Sequence, residues 1–291
     1  MPYTTDFELL LSGSNSRFNS PSSPNKMSKN MTLAARIINW LGLYLLLVVS
    51  LISQTTELEA QRYQEETPWP PVATFSILGY DPETGEIGGA VQSRVFSVGN
   101  GVLWAEAEVG IVATQAVVDV SYGKQALELL EKEFSPDETV ALILKNDPDP
   151  RPADWSIKGR QFSVMNASGQ VATYTGPQAS DWAGHLLGHH VSAQGNILAG
   201  PEVVENMIET FQSTTGHLSF RLLAALEAGQ AAGGDIRGMQ SAAMLIVKKD
   251  GGVWLNNDTV LRLQVDDHLL PIAELRRLVE LADQQRTRRR N

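Results

Sequence analysis

The sequence predicts an α+β fold built in layers. Strand-like runs come in adjacent pairs, at residues 72–96, 98–117 and 161–175. Helical patterns also come in pairs, at 121–146 and 201–232. The alternation of single strands and helices that marks a doubly wound sheet is missing. With 291 residues and an apolar fraction of 43%, one large domain is the expected count.

Residues 1–30 read as a disordered extension, because SGSNSRFNSPSSPNKMSKN offers almost no hydrophobe to anchor it. Residues 31–60 read as an export signal. Lys29 and Arg36 precede an apolar run from Ile37 to Ile52, and Leu58-Glu59-Ala60 supplies a small residue for cleavage. A start at Met27 or Met31 places this segment at an ordinary distance from the N-terminus. Cleavage predicts an exported or periplasmic protein. Retention makes the same run a membrane anchor, and residues 37–52 are the one segment expected to touch a membrane. Residues 61–71 form a linker held extended by Pro68, Pro70 and Pro71.

The folded domain is expected over residues 72–291. Val72–Tyr80 is rich in β-formers, and DPETGE supplies a tight connection to a second strand, Glu86–Phe96. Gly88 and Gly89 inside that strand predict a bulge or a close backbone approach. Val98–Glu106 and Gly110–Val117 are apolar enough for burial on two faces. Ser121 is expected to cap a helix running to about Glu133. Ser135, Pro136 and Glu138 stand at N-cap, first-turn and capping-box positions for the next helix. A hairpin follows around Asn166-Ala167-Ser168-Gly169, then a strand at 190–198. Two helices, Pro201–Phe211 and Leu218–Ala232, precede strands Gln240–Lys248 and Thr259–Val265. A last helix runs from Pro271 towards RTRRR.

Net charge is -10, which argues against nucleic acid as a partner, since phosphate contacts need dense Lys and Arg. There is no cysteine, so thiolate nucleophiles, disulfides and Cys-based zinc sites are excluded. Asp181, His185 and His189 are spaced by four and would share one helical face, but Gly184 and Gly188 weaken that helix. Neither a metal nor a cofactor is expected. GGDIRG lacks the Lys-Ser/Thr of a phosphate loop.

Five blocks, ATFSILGYDPETGEIGGAVQSR, VLWAEAEVGIVATQAVVDVSYG, RQFSVMNASGQVATYTG, SAQGNIL and LLAALEAGQAAGGDIRGMQSAAMLIV, occur in an order that resembles the DUF1028 family. That family is itself similar to the N-terminal nucleophile (Ntn) hydrolases. The resemblance spans roughly residues 73–265. It implies a four-layer αββα sandwich of two antiparallel sheets, with an inner core about 10 Å thick.

The resemblance also gives Thr74 a chemical meaning. In such hydrolases the residue that opens the first strand attacks through its side chain, and its own α-amine is the base. A free α-amine has a pKa near 8, so part of it is neutral at pH 7. Here Ala73-Thr74-Phe75-Ser76 lies inside the chain, and a peptide nitrogen has no basic lone pair. Cleavage at Ala60 leaves thirteen residues before Thr74 (61–73), so a second cut after Ala73 is required. Ser76 shares the strand face of Thr74.

Arg94 is a candidate for binding a carboxylate or steadying an oxyanion. Asn196, in Gln194-Gly195-Asn196, is a candidate oxyanion donor, although a tight turn explains the same letters. Gln92 and Arg94 share one strand face and Ser93 takes the other. Thr114 and Gln115 need buried hydrogen-bond partners. Asp119 is read first as a cap, while Asp235 and Arg237 are read as a pair, as caps for Gln240–Lys248 or as residues at the rim of the pocket. The expected function is an amidohydrolase with Thr74, Arg94 and Asn196 at the site and an unidentified amide as substrate. The alternative is a non-enzymatic small-ligand-binding or assembly protein on the same fold. A homo-oligomer is compatible with either.

Overall fold

The computed structural model describes residues 40, 44–50 and 74–290. The chain divides into two units, Met1–Glu66 and Thr67–Asn291. In the first, residues 44–50 are helical and exposed. The rest of the predicted extension, signal segment and linker lies outside the described residues. Among the described residues, no helix is long and apolar enough to cross a membrane.

Among its described residues the second unit holds ten strands and five helices. The strands are β1 Thr74–Asp81, β2 Glu86–Ser93, β3 Leu103–Glu106, β4 Gly110–Ala116 and β5 Arg160–Asn166, then β6 Val171–Thr175, β7 Gly184–Gly188, β8 Val191–Asn196, β9 Ser241–Val247 and β10 Thr259–Val265. The helices are α1 Ser121–Glu131, α2 Pro136–Asn146, α3 Glu202–Ser213, α4 Leu218–Ala231 and α5 Pro271–Arg290. One sheet has the order β10-β9-β2-β1-β8-β7 and the other β3-β4-β5-β6. Every pairing is antiparallel.

Strand alternation sorts the side chains into layers. Phe75 and Ile77 of β1 join Phe211, Leu222 and Leu226 under α3 and α4, and Leu275 and Val279 of α5 close the same core. Leu78, Val91, Ile111, Met165 and Leu245 form a second core between the sheets. Tyr122, Ala126, Ile143, Phe162 and Val164 form a third, between the smaller sheet and α1 and α2. Helix, sheet, sheet and helix therefore stack as an αββα sandwich, with apolar burial at all three interfaces supplying the main driving force.

Several local expectations change. Residues 98–100 form a 3-10 turn, so β3 begins only at Leu103. Ser121 is the first residue of α1 and Val120 stands at its N-cap, with no side-chain cap bond; Asp119, one residue earlier, meets Ser121 instead. Its carboxylate accepts from the Ser121 amide at 2.9 Å and the Ser121 hydroxyl at 2.6 Å. The Ser135–Glu138 capping box of α2 is present. β2 pairs without a bulge. Its glycines instead allow close approach: a Cβ at Gly88 would meet the Leu245 carbonyl at 2.9 Å, and one at Gly89 the Ile77 carbonyl at 2.9 Å. Residues 184–188 are strand β7, so His185 and His189 do not share a helical face.

Candidate functional site

Thr74 opens β1, a central strand of the six-stranded sheet. Its register partners are Ser93 on β2 and Asn196 on β8, and Ser93 in turn opposes Ser241 on β9. Directly opposed residues project on one face of an antiparallel sheet. Ser241, Ser93, Thr74 and Asn196 thus make a polar row across four strands, and all four are fully buried. The Thr74 hydroxyl donates to Ser93 Oγ at 3.2 Å.

This face looks towards the smaller sheet, which answers with two glutamines. Gln115 of β4 and Gln161 of β5 oppose each other in register. Gln115 Nε2 donates to the Thr74 carbonyl at 3.2 Å and to Gln161 Oε1 at 2.8 Å. Asn196 Nδ2 donates to the same Gln161 oxygen at 3.1 Å. One strand turn deeper, Ser76 donates to Gln115 Oε1 at 2.7 Å and accepts from Gln194 at 3.3 Å. Ser163, Thr173 and Ser192 continue the band, with oxygens 2.7–3.0 Å apart. The space between the sheets thus holds an apolar cluster in one part and a hydrogen-bonded polar band in another. Buried groups linked this way hold one another in fixed positions.

The backbone turns sharply beside two members of the band. Ala116, after Gln115, has φ 65°, and Ile197, after Asn196, has φ 54°. The left-handed region is costly for any side chain with a Cβ, and more so for a β-branched one. Such strain persists where the surroundings over-determine it, and it clusters at functional sites.

Thr74 and Asn196 therefore come together. Arg94 leaves in another direction. It follows β2, and its guanidinium donates to the Arg237 carbonyl. Gln92 points the same way, its amide 3.4 Å from the Gly238 carbonyl. Ser93 points into the polar row. The regular pairing of β2 keeps these three residues from lining one pocket. Gln194, Gly195 and Asn196 all lie on β8, which removes the tight-turn explanation for them. Asp235 and Arg237 pair at 2.9 Å.

Sequence inspection gave Gln161 no role and named Gln194 only as a neighbour of Asn196. Both are glutamines in buried strands, as Gln115 is. Thr114 belongs elsewhere, bonded to the Gly101 carbonyl at 2.7 Å. His185 sits at the far end of the band, its Nδ1 2.9 Å from Thr175 Oγ1, and burial pulls its pKa below the usual imidazole value.

Fold and site together define a layered αββα protein whose larger sheet has, in a central strand, a buried threonine flanked by a serine and an asparagine. The comparisons place it further. Residues 74–275 match the model of the family of unknown function DUF1028. The chain belongs to that family. It is similar to the crystal structure of protein SPO2555 from Silicibacter pomeroyi, of the same family. Identity is 32%, the TM-score is 0.64, and the match covers 72% of this chain and 86% of that one. No curated protein matches the chain.

Proposed function

We propose that the protein is an amidohydrolase of the N-terminal nucleophile type, in which Thr74 is the nucleophile once the chain is cut after Ala73. One observation carries this reading. Thr74 opens a central strand with its hydroxyl held by Ser93 and its register partner Asn196 beside it. The cut frees an α-amine a few ångströms from the Thr74 hydroxyl, where no further residue is needed as base.

The steps follow from that geometry. The amine takes the hydroxyl proton as Oγ1 adds to the amide carbonyl. The tetrahedral oxyanion is met by the Asn196 amide, which Gln161 orients. The C–N bond breaks, the ammonium returns its proton to the leaving amine, and an ester on Thr74 remains. Water, deprotonated by the same amine, cleaves that ester and releases the acid. The signal-like segment at 31–60 supports an exported enzyme that is processed on its route.

A β-lactone, which acylates N-terminal threonines, tests the assignment. Treated protein that has been cut after Ala73 should carry one added mass on the peptide that begins with Thr74. Modification elsewhere would count against Thr74.

Full burial of Thr74 favours a second reading for a chain left uncut: a non-enzymatic ligand-binding or assembly protein. Biological function retained in a Thr74→Ala chain would support it.

A further inference from the structure

Beyond Ser93 the surface falls into a cavity of about 640 Å³ lined by Arg94, Met239, Gln240, Asp267, His268 and Leu270, among others. A second cavity of about 350 Å³ shares Met239 and Leu270 and is mostly apolar. Their sizes suit a small organic ligand.

We propose that this double groove binds an N-acylated apolar α-amino acid, with the carboxylate on Arg94 and the side chain on Met239 and Leu270. Its catalytic meaning rests on Thr74 being the nucleophile; its binding chemistry does not.

Arg94 supplies the charge. Its guanidinium has five N–H donors in a planar fork suited to a carboxylate. Among the described residues it forms no ion pair, and it donates to the Arg237 carbonyl. The acids nearby are engaged. Asp267 accepts from the Gln240 amide at 3.1 Å, and Glu227 is gripped by Arg276, with Nε at 2.6 Å. His268 Nδ1 accepts from the Leu270 amide at 3.0 Å, which puts its proton on Nε2 as a second donor.

The apolar contact is also present. Leu269 is 90% exposed and Leu270 56%, unusual for adjacent leucines on a charged surface. Met239 stands where the two cavities meet, an adaptable surface for branched side chains.

The groove is tied to the polar row. Gln240 N–H donates to the Ser93 carbonyl at 3.0 Å, and His268 N–H donates to the Gln240 carbonyl at 2.8 Å. Ser93 is the hydroxyl that holds Thr74. The backbone just before β9 and the residues after β10 thus link the groove to the row, although Arg94 itself projects away from Thr74.

The test is equilibrium binding to the full chain, in wild-type and Thr74→Ala forms, of N-acetyl-L-leucine and of its uncharged analogue N-acetyl-L-leucinamide. The acid should bind about 10-fold tighter than the amide in both forms, as expected of a charge-assisted contact. Arg94→Gln should abolish that preference, and Arg94→Lys should restore part of it. An unchanged urea midpoint confirms that each variant folds. Equal binding of the two probes, binding of neither at millimolar concentration, or a preference that survives Arg94→Gln would overturn the subsite. The two claims fail separately. Carboxylate preference without acylation of Thr74 removes the nucleophile and leaves the groove. Acylation without carboxylate preference does the reverse.

Discussion

At the scale of residues, the site depends on how buried polar atoms are paired. Gln161 takes two donors on one oxygen, from Gln115 and Asn196, and its own amide reaches Thr175 at 2.9 Å and the Gly195 carbonyl at 2.9 Å. Gln161→Leu removes every one of these bonds and strands the donors. It should cost about 2–5 kcal/mol, since each buried group left unsatisfied costs about 1–3 kcal/mol. Urea unfolding measures this. If Asn196 meets the oxyanion as proposed, the loss of activity should exceed the loss of folded protein, because Gln161 no longer orients it. Thr74→Ser keeps a hydroxyl and should keep part of the activity of the cut chain. Thr74→Ala should remove it, and losing the bond from the Thr74 hydroxyl to Ser93 should cost about 0.5–1.5 kcal/mol by urea unfolding. Thr74 and Asn196 were legible because motif blocks marked them. Gln161 was not, because a glutamine in a strand reads as a surface residue until its register against Gln115 is known.

At the scale of elements, two features decide how the frame holds. The first is the β2 backbone. Gly88→Ala would press a Cβ against Ile246 Cγ1 at 2.6 Å and the Leu245 carbonyl at 2.9 Å. Backbone cannot retreat as a side chain tip can, so the midpoint of thermal unfolding should fall by the equivalent of about 1–3 kcal/mol. A rise would contradict the close-approach account. The second is the buried cluster that pins the loop between α2 and β5. Asp147 bonds the Tyr122 hydroxyl and lies 3.4 Å from Arg160 Nε, with both charged side chains almost fully buried. Desolvation opposes ionisation of Asp147, but Tyr122, the Asp149 amide and Arg160 outweigh it and hold the carboxyl below its usual value. Burial first, then Asp147, pushes the Tyr122 phenol well above its ordinary pKa. A depressed carboxylate stabilises the fold at pH values above the unfolded pKa of about 3.9 and loses that contribution as pH falls through the lower folded value. Asp147→Asn should therefore destabilise strongly at pH 7, by about 3–5 kcal/mol for a broken buried pair, and less at an acidic pH below the lowered folded value. Urea midpoints at the two pH values check the sign. The Ser135 cap and the β1–β2 hairpin were legible because they are local. β7 was not. Its sequence GHLLG has two glycines and no alternation, and it becomes a strand only because β8 offers an edge to pair with.

At the scale of the whole molecule, clustered strands and clustered helices sufficed to predict layering, because each layer has to bury one face. The division of the inter-sheet space into apolar and polar parts was hidden. It depends on which faces of β1, β4, β5 and β8 meet, and no single strand records that. The polar part reaches the sheet end that carries Thr74, and the groove of Arg94 adjoins it. This arrangement gives a catalyst only if Thr74 acquires a free amine. N-terminal sequencing and intact mass of the mature protein, purified from the organism that encodes it, test that point most directly. The account predicts a first residue of Thr74 and a mass equal to residues 74–291. A mature chain that begins near Gln61 and still hydrolyses its amide would contradict it.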